Sequence, residues 1–251
     1  MKRFAVIGFP VAHSRSPEMF QTWWDNSGLG SHFQYEKVVV SPEGLQEFLQ
    51  GSGQHYTGLN VTVPLKTQAL EHCHMLSEAA KAIGAVNCLA FRHGQWHGHN
   101  TDADGFWDAV QPHIPASGHA IILGNGGSAR AVHFALSSRG WRVTTLARQA
   151  KHDFPGEQLP FHTPIEESVD LVVQCTPVGM TPNTKSHPPL PLLATWQDVW
   201  VVDLIYQPED TQFMKLCRDL SAQTMNGARM LEAQGKKAWD YWRSLQDLPH
   251  I

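Results

Sequence analysis

The architecture of this chain is set by one stretch, His119-Ala120-Ile121-Ile122-Leu123-Gly124-Asn125-Gly126-Gly127-Ser128-Ala129-Arg130-Ala131. An apolar run enters a Gly-x-Gly-Gly-x-Ala turn, and a segment of small residues typical of a helix follows. Gly124 permits the tight turn, Gly126 lets the backbone approach a pyrophosphate, and Ala129 allows a helix to pack closely on a strand. A helix that begins near Ser128 would direct its free N–H groups at the phosphates. The stretch predicts a dinucleotide-binding loop, although a lone glycine pattern also occurs in ordinary turns.

Short apolar runs alternate with amphipathic segments on both sides of this loop. The predicted strands are residues 4–8, 34–40, 58–63, 86–92, 120–124, 143–147, 171–175 and 199–205. The predicted helices are residues 16–26, 42–50, 66–76, 78–83, 104–110, 128–139, 212–220 and 228–245. The alternation, with Val/Ile-rich strands, predicts an α/β fold whose sheets are mostly parallel and covered by helices.

A change of composition divides the chain into two predicted domains. Residues 111–118 are rich in Pro, Ser and Gly, lack periodicity, and directly precede the strand of the glycine loop. We expect a first α/β domain of residues 1–102 plus 227–251, and a second, doubly wound parallel domain of residues 103–226. The last helix is expected to pack back on the first domain.

Composition excludes several classes of protein. The 251 residues are 42% hydrophobic and 17% charged, and 19 Lys+Arg against 23 Asp+Glu give a net charge of −4. No basic surplus calls for a nucleic acid or an anionic membrane, and no apolar run approaches the length of a membrane span. The four Cys residues are scattered without a C-x-x-C pair, which is typical of reduced thiols in a cytoplasmic protein.

The 15 His residues raise the question of a metal site. Two groups stand out, His72 with His74, and His93 with His97 and His99. The second group falls in a predicted β-hairpin that turns at Gly94, which separates His93 from His97, so that only His97 and His99 are expected to share a side of a strand. We therefore expect surface histidines and no metal.

The residues that follow the second strand of the glycine-loop domain indicate which dinucleotide binds. An acidic residue about 20 positions after the loop would bind the ribose 2′-hydroxyl of NAD. This position instead carries Arg148, with Lys151 close by. A guanidinium there binds a 2′-phosphate in a bidentate manner, so NADP is favoured. The alternative is that Arg148 is only a solvated charge at a strand end.

The predicted first domain has polar residues where strands end. Ser14 and Ser16 lie between a strand and a helix, where Ser16 could cap the helix or both hydroxyls could bind a carboxylate. In a regular strand Asn60 and Thr62 share one side. Lys66 would open a helix, where the dipole disfavours a cation and suits a proton-transfer group. Asp102 could cap another helix or pair with Lys66.

These residues together resemble the shikimate dehydrogenase family along essentially the whole chain. The matching segments are Ser14-Arg15-Ser16-Pro17, Asn60-Val61-Thr62-Val63-Pro64-Leu65-Lys66, Gly84-Ala85-Val86-Asn87, Asn100-Thr101-Asp102, the glycine loop, Thr176-Pro177-Val178-Gly179-Met180, Asp203-Leu204-Ile205-Tyr206 and Gly227…Met230-Leu231…Gln234. No single segment is specific, but their shared order is.

The resemblance implies a fold, a reaction and a set of roles. It implies a substrate domain, a Rossmann-type NADP domain, and the NADPH-dependent reduction of 3-dehydroshikimate to shikimate in an interdomain cleft. Lys66 and Asp102 would be catalytic. The residues implied for the substrate are Ser14, Ser16, Asn60, Thr62, Asn87, Tyr206 and Gln234. Those implied for the cofactor are Gly124, Asn125, Gly126, Gly127, Ser128, Ala147, Arg148, Gln149, Glu78, Leu204 and Gly227.

Two departures and two alternatives accompany this interpretation. Ala147 and Gln149 stand where the family usually has Asn and Thr, which predicts a weaker preference for NADP. One alternative is a relative that acts on quinate or another cyclic hydroxy acid. The other is a dinucleotide-binding sensor without turnover, which would not need an acid/base pair. A monomer and a homodimer are both compatible with the sequence.

Overall fold

The computed structural model describes residues 1–251 and divides into two units. Unit 1 comprises Met1–Asp102 and Gln234–Ile251, and unit 2 comprises Ala103–Ala233. The second boundary therefore lies seven residues later than the sequence predicted. The reason is that the start of the last helix stays attached to unit 2, where the Gly227 N–H donates to the Ile205 carbonyl over 3.2 Å.

Unit 1 is built on a mixed sheet of six strands. Its strands are β1 (Lys2–Gly8), β2 (Phe33–Val39), β3 (Gly58–Val61), β4 (Met75–Leu76), β5 (Cys88–Arg92) and β6 (Gln95–His99). Its helices are α1 (Ser16–Asn26), α2 (Leu45–Gln50), the 3₁₀ turn Ser52–His55, α3 (Gln68–Glu71) and α4 (Glu78–Ile83). The strand order is β2-β1-β3-β5-β6-β4, and β5 runs antiparallel to both β3 and β6.

Unit 2 is built on a parallel sheet of six strands. These strands are β7 (His119–Leu123), β8 (Arg142–Ala147), β9 (Glu157–Pro160), β11 (Leu171–Gln174), β13 (Trp200–Asp203) and β14 (Gln223–Asn226). A separate pair is formed by β10 (Pro164–Ile165) and β12 (Leu192–Leu193). The helices are α5 (Asp102–Val110), α6 (Gly127–Ser137), α7 (Gln212–Asp219) and α8 (Ala228–Leu245), of which α5 begins at the last residue of unit 1 and α8 continues into it.

The strand order of unit 2 locates its binding edge. The order β9-β8-β7-β11-β13-β14 runs outward in both directions from the centre, as in a doubly wound dinucleotide-binding sheet. Ligands of such sheets bind beyond the carboxyl ends of the strands, where the order reverses. That point lies between β7 and β11, and the glycine loop directly follows β7. The predicted α/β fold with a doubly wound second sheet is confirmed.

The last helix packs back on the sheet of unit 1, as predicted. The Trp242 indole N–H donates to the Leu89 carbonyl over 2.9 Å, and its ring lies 4.9 Å from that of Phe4. A Cβ on Gly58 would lie 2.4 Å from the Trp242 ring, so only glycine fits there. No helix in the structure is both long enough and apolar enough to cross a membrane.

The predicted helix over residues 66–76 is wrong. Only Gln68–Glu71 is helical, and Met75–Leu76 forms a short strand beside β6. The His74 N–H donates to the Trp96 carbonyl and the Ser77 N–H to the Gly98 carbonyl. These backbone bonds to β6 satisfy groups that a continuing helix would have used internally, so pairing with a distant strand ends the helix.

Candidate active site

A buried ion pair lies at the centre of the candidate site in unit 1. Lys66 lies in the turn after β3, and Asp102 is the first residue of α5. The Lys66 Nζ lies 2.6 Å from the Asp102 Oδ2, and the two side chains are only 11% and 5% exposed. The Lys66 carbonyl accepts a 2.8 Å hydrogen bond from the Val86 N–H, which fixes the backbone of the turn. The structure thus brings the predicted pair, Lys66 and Asp102, together as a buried ion pair.

The helix-dipole argument for Lys66 does not hold. The helix that follows begins at Gln68 and has only four residues, so Lys66 is not in its first turn. A single turn of helix has a small dipole, and its effect is confined to the adjacent turn. The main electrostatic partner of Lys66 is the Asp102 carboxylate instead.

Asn87 holds the second oxygen of the Asp102 carboxylate. Its Nδ2 donates to the Asp102 Oδ1 over 2.8 Å, and its Oδ1 accepts from the Thr101 N–H over 2.7 Å. The Asn100 Oδ1 accepts from the Asp102 N–H over 3.0 Å, which fixes the backbone where α5 begins. Of the two alternatives for Asp102, the structure shows pairing with Lys66, since both carboxylate oxygens face side chains of the site.

Gln234 reaches this cluster from the far end of the sequence. Its Oε1 lies 3.3 Å from the Asn87 Nδ2 and 3.5 Å from the Thr101 Oγ1, and its side chain is buried. Thr101, which the sequence analysis assigned no role, is buried between Asn87 and Gln234. The only feature of the sequence that pointed to Thr101 as a site residue was its position inside the Asn100-Thr101-Asp102 segment.

Asn60 is bound by the protein on both sides of its amide. Its Oδ1 accepts from the Tyr35 hydroxyl over 2.7 Å, and its Nδ2 donates to the Asn87 carbonyl over 3.3 Å. Tyr35 carried no signal in the sequence, because it meets Asn60 only through the arrangement of β2, β1 and β3. Asn60 therefore braces the backbone beside Asn87.

Thr62 does not extend the regular alternation assumed from the sequence. β3 ends at Val61, although the Thr62 N–H still donates to the Ile7 carbonyl over 2.9 Å. The methyl group of Thr62 packs on Gly8, where a Cβ would lie 2.4 Å from it. Thr62 is half-buried and lies four residues before Lys66 in the same connection.

The two serines of the first connection are buried next to each other. The Ser14 and Ser16 hydroxyl oxygens lie 3.3 Å apart, and the Ser16 N–H donates to the Ser14 Oγ. Ser16 does not cap α1, because the helix begins at Ser16 itself and the capping position is Arg15. The capping alternative is therefore wrong, and two buried hydroxyls remain that can bind a polar ligand.

The glycine loop in unit 2 has the geometry of a phosphate-binding turn. Gly124 has a φ of +99°, and a Cβ there would lie 2.8 Å from the Thr176 Cγ2. Gly126 is extended and precedes α6, which begins at Gly127, one residue before the predicted start. A Cβ on Gly126 would meet no atom within 4 Å, so open space lies in front of the first turn of α6. This space lies in front of the N-terminus of α6, where the backbone N–H groups of the first turn and the positive end of the helix dipole suit a pyrophosphate.

The second strand of unit 2 ends where the sequence analysis placed the adenosine-binding residues. β8 ends at Ala147, which is buried, and Arg148 and Gln149 follow on the surface. The Asn125 Nδ2 donates to the Gln149 carbonyl over 2.8 Å, which joins the glycine loop to this segment. The structure therefore brings Asn125, Arg148 and Gln149 to the same edge, and no carboxylate occupies residues 147–149.

Leu204 and Gly227 are in direct contact. A Cβ on Gly227 would lie 2.1 Å from the Leu204 carbonyl oxygen, so the backbones meet at a distance that only glycine permits. Tyr206 follows two residues after Leu204 and is half-buried. Three of the predicted residues thus cluster beyond the ends of β13 and β14.

A buried carboxylate holds this segment, and the sequence analysis assigned it no role. Asp203 accepts hydrogen bonds from the Ile205 N–H at 3.0 Å and the Thr211 hydroxyl at 2.7 Å. Burial raises the pKa of Asp203 to about 6, and these two hydrogen bonds partly oppose that shift. The feature of the sequence that could have identified Asp203 was its position at the start of the family-like segment Asp203–Tyr206.

Glu78 is the predicted cofactor residue that stands apart. Its side chain is 90% exposed in the first turn of α4 and pairs with Lys81 over 2.7 Å. Glu78 belongs to unit 1, whereas the other predicted cofactor residues belong to unit 2.

Comparison with known proteins gives consistent matches. Residues 6–89 match the family model of the shikimate dehydrogenase substrate binding domain. The NADP(+)-dependent shikimate dehydrogenase of Thermus thermophilus is 36% identical over 98% of this chain and 94% of its own length.

Solved structures agree over the full length. The crystal structure of shikimate 5-dehydrogenase from Thermus thermophilus in complex with NADP(H) and shikimate is 34% identical, with a TM-score of 0.84 over 100% of this chain and 95% of that one. The ligand-free 5-ketofructose reductase of a Gluconobacter species is 28% identical, with a TM-score of 0.78 over 97% and 93% of the two chains.

Proposed function

Because the chain belongs to the shikimate dehydrogenase family, we propose that it catalyses the reversible, NADPH-dependent reduction of 3-dehydroshikimate to shikimate. The observation that carries the proposal is the buried contact of 2.6 Å between the Lys66 ammonium and the Asp102 carboxylate. Burying two charges costs free energy and adds little to stability, so such a pair is better explained by chemistry. A protein that only bound a dinucleotide would not need it.

Lys66 is the group that exchanges a proton with the substrate. In the direction of reduction, its ammonium donates a proton to the oxygen that becomes the hydroxyl. In the direction of oxidation, its neutral amine accepts the proton of that hydroxyl. Asp102 binds Lys66 through Oδ2, orients it, and stabilises its charged form.

Neutral polar groups bind the rest of the substrate. Ser14 and Ser16 donate hydrogen bonds from their hydroxyl groups to the substrate carboxylate. The ring hydroxyls of the substrate are bound by Thr62, Asn87, Tyr206 and Gln234. Asn87 also keeps Asp102 in place through its 2.8 Å hydrogen bond. Asn60 assists this set and also holds the Asn87 backbone by donating to its carbonyl. A site built from hydroxyl and amide groups rejects analogues that lack the matching hydroxyl, since its own groups would be left unpaired.

The residues of unit 2 hold NADP. Gly124–Ser128 bind the pyrophosphate with backbone N–H groups, Arg148 binds the 2′-phosphate, and Ala147 and Gln149 flank the adenosine. Leu204 and Gly227 provide a close-packed wall for the nicotinamide. When bound, NADP accepts or supplies the hydride, which no side chain of the protein can do. Glu78 is the least supported member of the set, because its carboxylate is bound to Lys81 on the surface.

The direct test is a steady-state assay with purified protein. Absorbance of NADPH at saturating NADP⁺ and shikimate is expected to rise, and 3-dehydroshikimate with NADPH is expected to give the reverse change. NADPH binding without turnover of either substrate would favour the sensor alternative and overturn the proposal.

The same assay separates the related substrates. Quinate belongs in the panel because it shares the carboxylate and ring hydroxyls. 5-Ketofructose belongs there because a reductase of that name has the same fold at 28% identity. We expect kcat/KM to be highest for shikimate, and a higher value for either other compound would reassign the substrate.

A further inference from the structure

The segment between β8 and β9, residues 148–156, is tied to the glycine loop by side chains of this chain. We call it the clamp loop, because it begins with Arg148 and contains Lys151. Arg148 is exposed, and the hydrogen bonds that fix its position involve the backbone of its neighbours. The orientation of its guanidinium therefore depends on how firmly that backbone is held.

Gln158 of β9 binds both backbone polar groups of Lys151. Its Oε1 accepts from the Lys151 N–H over 3.0 Å, and its Nε2 donates to the Lys151 carbonyl over 2.8 Å. One side chain thus makes the two hydrogen bonds that an adjacent strand would make. The clamp loop is fixed three residues after Arg148.

Asn125 extends this anchor to the glycine loop. Its Nδ2 donates to the Gln158 Oε1 over 3.0 Å as well as to the Gln149 carbonyl over 2.8 Å. The Lys151 Nζ in turn donates to the Asn125 carbonyl over 3.2 Å. The loop that approaches a pyrophosphate and the loop that carries Arg148 are therefore joined by two direct hydrogen bonds and by Gln158, which binds both loops.

A second anchor holds the far half of the clamp loop. Arg130 of α6 is buried, donates to the Asp153 carbonyl over 2.8 Å, and forms an ion pair with the Asp153 carboxylate. Its guanidinium also lies 5.5 Å from the centre of the Phe154 ring. With this half fixed by Arg130, the half next to Arg148 is held by the two hydrogen bonds of Gln158 to Lys151 and by the hydrogen bond from Asn125 to Gln149.

The Gln158 side chain is not needed to form β9. The strand is paired with β8 through backbone register from Thr144–Glu157 to Ala147–Pro160, in which Gln158 faces Thr145. β9 is also the outermost strand on its side of the sheet, so its side-chain amide supports no further strand. The Gln158 amide instead forms hydrogen bonds with Lys151 and Asn125.

We propose that Gln158 is a positioning residue that sets the preference for a 2′-phosphorylated adenine dinucleotide, by holding the clamp loop so that Arg148 meets the 2′-phosphate. A bidentate contact between guanidinium and phosphate requires a fixed geometry, and ordering a loose backbone at binding costs affinity. The inference rests on the proposed function, since it assumes that Arg148 binds this phosphate.

The test compares two ligands that differ only in that phosphate. Adenosine 2′,5′-bisphosphate and adenosine 5′-monophosphate are titrated by calorimetry into the wild type, Gln158→Met and the control Gln223→Met, which changes an exposed glutamine of β14. In Gln158→Met we expect the Kd of the bisphosphate to rise about three- to tenfold, the effect of losing one or two hydrogen bonds, and the Kd of the monophosphate to change less than twofold. Gln223→Met is expected to match the wild type for both.

The outcomes separate the inference from the proposed function. If the wild type prefers the bisphosphate and Gln158→Met keeps the full preference, or weakens both ligands equally, the positioning role is overturned while the cofactor class stands. If the wild type shows no preference, both are overturned. Thermal unfolding of each variant checks folding, and Gln158→Thr, which suits an edge strand, replaces the Met variant should that one fail to fold.

Discussion

The buried contact between Lys66 and Asp102 costs free energy of folding, and its geometry offsets that cost. Removing a carboxylate and an ammonium from water costs several kcal/mol for each ion, and their attraction offsets this only with good geometry and further hydrogen bonds. Both conditions hold, with 2.6 Å between Nζ and Oδ2 and the Asn87 amide on the other carboxylate oxygen. Such a pair holds the lysine in one position, which is what the proton transfer that we propose for Lys66 requires.

Lys66→Ala is predicted to lower kcat by about 10²–10⁴-fold with little change in the KM for shikimate, the usual effect of losing an acid/base. The variant also leaves the Asp102 carboxylate buried without its cation, so a lower Tm is expected. The control is Lys215→Ala, which removes an exposed lysine of α7 and should leave kcat unchanged. Near wild-type kcat in Lys66→Ala would exclude it as the proton-transfer group.

Arg148→Gln is predicted to raise the KM for NADP⁺ far more than that for NAD⁺, because only NADP⁺ carries the 2′-phosphate that a guanidinium binds. Steady-state assays with each cofactor measure this. Arg142→Gln is the matched control, since Arg142 is the first residue of β8, the strand that Arg148 follows, and pairs with Glu167. An unchanged ratio of the two KM values in Arg148→Gln contradicts the role given to Arg148.

At the scale of the element, the connection from β13 to α7 depends on one buried carboxylate. Asp203 binds the Ile205 N–H and the hydroxyl of Thr211, and Thr211 caps α7 by accepting from the Met214 N–H over 3.2 Å. The segment that contains Leu204 and Tyr206 is therefore fixed between a strand end and a helix start. This arrangement carries a cost in stability, since the pKa of Asp203 is raised to about 6 by burial.

Asp203→Asn is predicted to change how folding stability depends on pH. The unfolded chain ionises this carboxyl near its ordinary pKa of about 3.9, whereas the folded chain retains the proton up to about 6. The contribution of Asp203 is thus fully present below about pH 4 and is lost as pH rises to 6. We expect the wild type to lose about 2 kcal/mol relative to Asp203→Asn between pH 4.5 and 7, as measured by urea unfolding.

Parallel pH profiles of the wild type and Asp203→Asn would contradict that assignment. Asp210→Asn is the control, because the Asp210 side chain is 46% exposed and pairs with Arg218 in the same connection. Its profile is expected to run parallel to that of the wild type between pH 4.5 and 7.

Gly227→Ala is predicted to destabilise the start of α8 by about 1–3 kcal/mol, the usual cost of overpacking a close contact. The new Cβ would lie 2.1 Å from the Leu204 carbonyl oxygen, so the backbone must move. Gly44→Ala serves as the control, because its Cβ would lie at an ordinary 3.5 Å from the Ser41 Oγ. Equal Tm values for the two variants, measured by calorimetry, would show that the contact is not tight.

At the scale of the whole molecule, each unit has its own sheet and its own buried core. In unit 1, apolar clusters cover both faces of the sheet, one centred on Leu59 and Leu89 and the other on Phe4 and Trp242. In unit 2, a further cluster includes Ile121, Val172 and Phe213. The predicted substrate residues other than Tyr206 belong to unit 1, and all the predicted cofactor residues except Glu78 belong to unit 2.

NADP⁺ and shikimate are each predicted to raise the Tm of the wild type when added alone. A ligand that binds only the folded state stabilises it by about 2.7 kcal/mol at 100 times its Kd, which for a chain of this length corresponds to about 5–10 °C. Scanning fluorimetry with increasing ligand measures the shift. The absence of a shift with shikimate at millimolar concentration would count against the substrate assignment.

Much of this molecule followed from short-range patterns in the sequence. The strand, glycine turn and helix of residues 119–131 require only local burial and backbone freedom, and they were predicted within one residue of the helix start. The Val/Ile-rich runs located the central strands, because strands that are covered on both faces consist almost entirely of apolar residues. The sequence also showed that Arg148, and not an acidic residue, directly follows the strand of residues 143–147, which predicted NADP as the cofactor.

What remained undecided depended on contacts between distant residues. The segment of residues 66–76 has a helical pattern, but β6 offered backbone bonds that ended the helix. Asp102 could cap a helix or pair with Lys66, and only the folded chain shows the pairing. Tyr35 meets Asn60, and Gln234 meets Asn87, through elements that are distant in the sequence. Patterns of burial record which way a residue faces, whereas the partner it meets is set by which strands become neighbours, and only the folded chain contains that information.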